Sequence, residues 1–152
     1  MDKRKSQPLI SIITVSYNSS NTIEDTFNSI RNQSYERIEY IVVDGNSTDG
    51  TKVIIEENSN IISKKISESD KGIYDAMNKG ISMCTGKIIG ILNSDDVYTN
   101  NEVISEVVNA FVLTGADVVY GNIDYVSENL EETKRKWRSS SYKKGSFIRG
   151  WH

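Results

Sequence analysis

The chain has 152 residues, 37% of them hydrophobic, a formal net charge of −3 and one cysteine. That length suits a single domain with a real core. The charge balance offers no basic excess to draw in a nucleic acid polymer, and a lone Cys84 excludes both an internal disulfide and a thiolate metal cluster, which fits a reducing compartment.

Residues 1–8 are charged and short and read as a flexible amino terminus. The apolar run Leu9–Val15 is too short to span a bilayer, which leaves peripheral membrane association open. Leu9–Tyr17 is nearly all apolar and predicts a strand in the middle of a sheet covered on both faces. Asn21 with Glu24 predicts a capping box, and Ile23, Phe27 and Ile30 carry a helix to about Asn32. Ile38–Val43 is the next strand, closed by Asp44–Thr51. A second helix over Thr51–Glu57 is expected to turn Val53 and Ile54 inward. Ile61–Ser67 is a weaker strand whose Lys64 and Lys65 suit a sheet edge. A third helix follows Gly72, with Ile73, Met77, Ile81 and Cys84 as its apolar stripe and Ala76 and Gly80 beside it. Lys87–Leu92 is a buried strand. Asn100 or Asn101 caps a fourth helix to about Leu113, with Ile104, Val107, Val108 and Phe111 inward. Asp117–Tyr120, Ile123–Val126 and Lys134–Arg138 read as short extended pieces. Phe147, Ile148, Trp151 and His152 look like part of a structured region that continues beyond residue 152.

Strands alternating with helices predict an α/β fold with a mainly parallel, covered sheet. In such a sheet ligands sit past the carboxyl ends of the strands, so Tyr17, Asp44 and the acid pair Asp95–Asp96 should share one rim. Tyr17 can stack on a base, Asp44 can accept from ring or ribose donors, and two adjacent acids call for a divalent cation shared with phosphate oxygens. As a plain strand–loop junction, the same Asn93-Ser94-Asp95-Asp96 would be an ordinary turn. No Gly-x-x-x-x-Gly-Lys-Ser/Thr run and no Gly-x-Gly-x-x-Gly follows the first strand, which argues against a P-loop NTPase and the usual dinucleotide fold.

Four pieces taken together resemble the amino-terminal half of a family 2 glycosyltransferase. They are Ser11–Asn18, Val42–Thr51, Asp70–Gly80 and Gly86–Asp96. The resemblance implies the GT-A fold, a Rossmann-like three-layer α/β/α sandwich over residues 9–152. It also implies that the acceptor-binding segment lies beyond them. It implies an inverting transfer from a nucleotide-diphosphate sugar, UDP-sugar favoured, to a saccharide or lipid-linked acceptor. The setting would be bacterial cell-surface polysaccharide synthesis, in the cytoplasm or at the inner face of the membrane. By that resemblance Tyr17, Asp44, Asp70, Asn78 and Asp95 hold the donor. Asp95 and Asp96 hold Mn2+ or Mg2+, with Asn93 where the family's motif often has its first Asp. Trp151 and His152 would reach acceptor or diphosphate, and the general base is expected beyond His152.

Asp70 reads equally as a pocket acid and as a helix cap, and Lys79 as a phosphate partner or a solvated residue. Two rivals remain at this level. A sugar nucleotidyltransferase should carry a glycine-rich basic loop where this chain has Tyr17–Asn21. A non-catalytic nucleotide-sugar-binding or assembly module would keep the rim without turnover.

Overall fold

The computed structural model describes residues 7–140. Trp151 and His152 lie outside the described residues, as does the rest of 141–152.

The order is β1 (Ile10–Ser16), α1 (Ile23–Arg31), β2 (Ile38–Asp44), α2 (Thr51–Glu57), β3 (Lys64–Ser67), α3 (Ile73–Met83), β4 (Ile88–Ile91), α4 (Val103–Thr114), β5 (Ile123–Val126) and β6 (Thr133–Trp137). β1 to β4 form one parallel sheet in the order β3-β2-β1-β4. β5 and β6 pair antiparallel in a separate two-stranded sheet. The architecture is the mainly parallel α/β fold expected, with lysine-bearing β3 at the edge.

Both faces of the central strands are buried, and alternation divides the core. Ile10, Ile12, Tyr40 and Val42 pack with residues of α1, α2 and α4, including Phe27, Ile55, Ile104 and Val108. Ile13, Val15, Ile41 and Val43 pack with Ala76 and Met77 of α3. Tyr40 is buried edge-on to Phe27, with ring centroids 6.0 Å apart, and its hydroxyl donates to Thr14 Oγ1 at 2.8 Å. That bond satisfies the one polar atom the ring carries inside.

Several expected details differ. α1 starts after Thr22 and no side chain caps it, so Asn21 and Glu24 form no capping box. Val53 points outward at 60% exposed, and Ile55 takes the buried place on α2. α3 lies on the sheet through its small residues, Ala76 and Gly80, which leaves Ile73 and Ile81 half exposed. A Cβ on Gly80 would fall 2.5 Å from Ile13 Cγ2, so the close approach needs the glycine. α4 begins at Val103, after Glu102 rather than Asn100 or Asn101. Asp117–Tyr120, expected as a short strand, is not assigned to either sheet among the described residues.

Candidate functional site

The strand order reverses at β1: β2 lies on one side and β4 on the other. Such a switch point opens a crevice at the carboxyl ends of the strands. A cleft of about 930 Å³ occupies it, lined by the ends of β1, β2 and β4 and by the start of α3. Among its lining residues are Tyr17, Asn18, Gly45, Asp70, Asn93 and Asp95. A space of that size matches a nucleotide-sized ligand.

The two loops on the β1–β2 side are fastened to each other. Asn18, at a φ of 50°, donates its N–H to Ser47 Oγ at 2.8 Å, and its Oδ1 accepts from Thr48 N at 2.9 Å. Ser19 N donates to Thr51 Oγ1 and Ser20 N to Asp49 Oδ2. Donors from Thr51 and Ser20 hold the Asp49 carboxyl well below its ordinary range. Across the cleft, Ser19 Oγ meets the buried Ser94 Oγ at 2.7 Å. Thr26 Oγ1 of α1 donates to the carbonyl of Asp96 at 2.9 Å. The rim is therefore held in place before any ligand arrives, which spares part of the ordering cost of binding.

On this frame Tyr17 stands 67% exposed and lines the cleft. Asp44 does not line the cleft. It is 1% exposed, and its carboxylate accepts from Ser16 Oγ, from Ser47 N and Oγ, and from Ser67 Oγ at 2.6 Å. Those four bonds tie the ends of β1, β2 and β3 together and leave the acid committed to the protein. Ser47, Asp49 and Asn18, which sequence reasoning passed over, carry this scaffolding; the only signal they gave was an Asn/Ser/Asp-rich loop.

Asp70 does line the cleft, and its Oδ1 also accepts from Gly72 N at 2.8 Å, so it closes the turn that enters α3. Lys79 is partly exposed and engaged by the protein. It grips the preceding loop through Ser69 O at 3.0 Å and Glu68 Oε1 at 2.9 Å, and the Glu68 bond raises its pKa. Asn78 is on the exposed side of α3 and is not part of the lining.

Asp95 lines the cleft and Asp96 stands next to it, with Asn93 Nδ2 donating to Asp96 Oδ2 at 3.1 Å. Desolvation and the adjacent Asp95 charge push the Asp96 pKa up, against the pull of Asn93. Asn93 Oδ1 is buried and has no hydrogen-bond partner. Such an orphaned acceptor beside two carboxylates is a donor set made of oxygens alone, which suits a hard divalent cation. Among the described residues no three His, Cys, Asp or Glu side chains gather into a metal cluster, so the protein would supply only part of a coordination shell.

A cleft at the switch point of a mainly parallel sheet flanked by helices is the arrangement of an α/β domain of the GT-A type. Residues 11–152 match Glycosyl transferase family 2, and the chain belongs to that family. It is 37% identical over 106 residues to an uncharacterized glycosyltransferase of Mycobacterium tuberculosis, covering 69% of this chain and 40% of that protein. It is 30% identical over 122 residues to the Escherichia coli UDP-Glc:alpha-D-GlcNAc-diphosphoundecaprenol beta-1,3-glucosyltransferase WfgD, covering 80% of this chain and 48% of that protein. The chain thus spans less than half the length of these relatives. Among solved structures, Staphylococcus aureus TarS 1-349 in complex with UDP-GlcNAc superposes with a TM-score of 0.66 at 25% identity, covering 72% of this chain and 32% of that TarS 1-349 chain. The mannosyltransferase PcManGT from Pyrobaculum calidifontis, in complex with GDP-Man and Mn2+, gives 0.67 at 25% identity over 81% of this chain and 36% of its own.

Proposed function

We propose that this chain is the donor-binding part of an inverting glycosyltransferase that moves a sugar from a UDP-sugar to a saccharide or lipid-linked acceptor in cell-surface polysaccharide synthesis. The observation that carries the reading is the cleft itself. Its lining brings the exposed Tyr17 and the acids Asp70 and Asp95 around one nucleotide-sized space, with Asp96 next to Asp95 in the chain. The activity named for WfgD and the UDP-GlcNAc bound to TarS support a UDP-sugar donor, and the WfgD activity supports a lipid-diphosphate-linked acceptor. Work at the cytoplasmic face of a membrane follows from such an acceptor; among the described residues no helix is long and apolar enough to cross one.

In this reading Tyr17 stacks on the base and the Asn18–Ser20 loop carries backbone along the ribose and diphosphate side. Asp95 and Asp96, with Asn93 Oδ1, would hold Mn2+ or Mg2+. Bound there, the cation supplies Lewis-acid stabilisation of the charge that builds on the departing diphosphate. Asp96 must be ionised for that role, and Asn93 restrains its orientation. Asp44 acts on the ligand only through the loops it fastens, and Asn78 through the fold of α3. An inverting transfer also needs a base to take the acceptor's proton. Among the described residues, Asp70 and Asp95 are the carboxylic acids of the lining, and this reading assigns both to the donor. In this reading neither of them serves as that base, and the acceptor or diphosphate contacts proposed for Trp151 and His152 lie outside the described residues.

The direct test incubates the longest available form of the protein with UDP-sugars and a lipid-diphosphate saccharide. Mn2+-dependent release of UDP with matching growth of the acceptor is expected. Tight UDP-sugar binding without turnover under all acceptors would favour a non-catalytic binding module. Formation of UDP-sugar from UTP and a sugar phosphate would instead make it a nucleotidyltransferase.

A further inference from the structure

Gly45 follows β2 directly, and its backbone needs no glycine: it is not among the positive-φ residues, and its N–H donates to Ser16 O at 2.8 Å. Space is what excludes a side chain. A Cβ at position 45 would lie 2.7 Å from Asp70 Oδ2 and 3.3 Å from Tyr17 Cδ2. The Asp70 carboxylate and the edge of the Tyr17 ring thus converge over the bare Gly45 backbone. The carboxylate is delivered by a loop that is itself fixed. Glu68 N donates to Asp44 O at 3.0 Å, Lys79 grips Glu68 and Ser69, and Gly72 N occupies Asp70 Oδ1. Asp70 lines the cleft, and its Oδ2 accepts from no donor among the described residues.

We propose that positions 45 and 70 compete for one place at the rim of the Tyr17 ring, and that Gly45 yields it to Asp70, which reads the hydrogen-bonding edge of the donor's base and selects uracil. A base stacked on Tyr17 turns its in-plane edge to whatever stands beside the ring. A carboxylate there only accepts. Uracil presents its imide N–H, and the bond is charge-assisted. Cytosine presents a ring-nitrogen lone pair at the same position, which the carboxylate repels. Guanine offers two adjacent donors, but one oxygen of Asp70 is already engaged by Gly72 N.

This rests on the donor-site reading above, and one experiment separates the two. Calorimetry with Mn2+ measures UDP, CDP and GDP binding to the chain and to Asp70→Asn, Gly45→Ala and Gly45→Asp/Asp70→Ser. Asn keeps an oxygen for Gly72 N and changes the free atom from acceptor to donor, so folding should be untouched. Wild type should favour UDP over CDP. Asp70→Asn should erode that preference about tenfold or more, the worth of one charged hydrogen bond. Gly45→Ala should weaken UDP by displacing Asp70. The double variant, in which Ser keeps the turn and the carboxylate returns from position 45, should regain the UDP preference. A UDP-to-CDP ratio unchanged in Asp70→Asn, or tighter binding of GDP than UDP by wild type, would overturn this inference alone. Failure of wild type to bind any of the three would overturn the donor site and this inference with it.

Discussion

Glu39 sits at the foot of β2, opposite the cleft, and is only 7% exposed. It joins three elements: Ser11 Oγ of β1, Lys64 Nζ of β3 at 2.7 Å, and Thr85 N and Oγ1 before β4 at 2.7 and 2.8 Å. Burial works to raise its pKa, but the donors from Lys64, Ser11 and Thr85 prevail and hold it at about 2, from an ordinary 4.5. At about 1.36 kcal/mol per decade, the ionised form is favoured in the folded state by about 3 kcal/mol. The sign follows from linkage. A carboxyl whose folded pKa lies below its unfolded one adds stability that is fully present above the unfolded value. That stability fades as pH falls from about 4.5 towards 2. Glu39→Gln should therefore cost about 3 kcal/mol at pH 7, and the gap to wild type should narrow below pH 4.5. Urea unfolding of both proteins at a series of pH values measures it. A gap that is absent at pH 7, or that stays constant down to pH 3, would refute the reasoning.

Three further outcomes follow from the geometry. Tyr17→Ala should weaken UDP binding by about 10- to 100-fold, the worth of one base–aromatic stack, while leaving the unfolding midpoint nearly unchanged because the ring is exposed. Since partial burial and Asp95 raise the Asp96 pKa, Mn2+-dependent UDP binding should begin to fail on acidification at a higher pH than an ordinary aspartate would dictate. Asp95→Asn should move that midpoint down, and titration calorimetry across pH 4 to 7 reads both. Gly80→Ala gains about 1 kcal/mol of helix propensity but forces a methyl to within 2.5 Å of Ile13 Cγ2, an overpacking worth about 1–3 kcal/mol. A net loss of stability in urea is expected, and a stabilised variant would show that α3 does not rest on the sheet through Gly80.

The layered fold was legible because β1 and β2 are apolar on both faces, a pattern that only a covered parallel sheet requires. The acid pair was legible in position, because an apolar run ending in Asp95–Asp96 places them at a strand exit, but β4 is an edge strand with Ile89 and Ile91 half exposed rather than the buried strand expected. The orientation of α3 was not. Periodicity favours the largest apolar residues as the inward stripe, whereas close packing on Ile13 selects Ala76 and Gly80 and turns Ile73 and Ile81 outward. Asp44 and Asp70 could not be told apart either. Both are acids after a strand, and their roles depend on partners far along the chain. Ser16 and Ser67 claim Asp44, while the missing side chain at Gly45 admits Asp70 to the cleft.

The central claim is that the acids leaving β4 grip a cation that tethers the donor's diphosphate in the cleft beside Tyr17. Calorimetric titration of UDP into the chain, with Mn2+ and then with chelator, tests it most directly when repeated on Asp95→Ala/Asp96→Ala. Binding that requires Mn2+ and disappears in the double variant is the predicted result. UDP binding of equal strength in chelator, or equal in the variant and the parent, would contradict it.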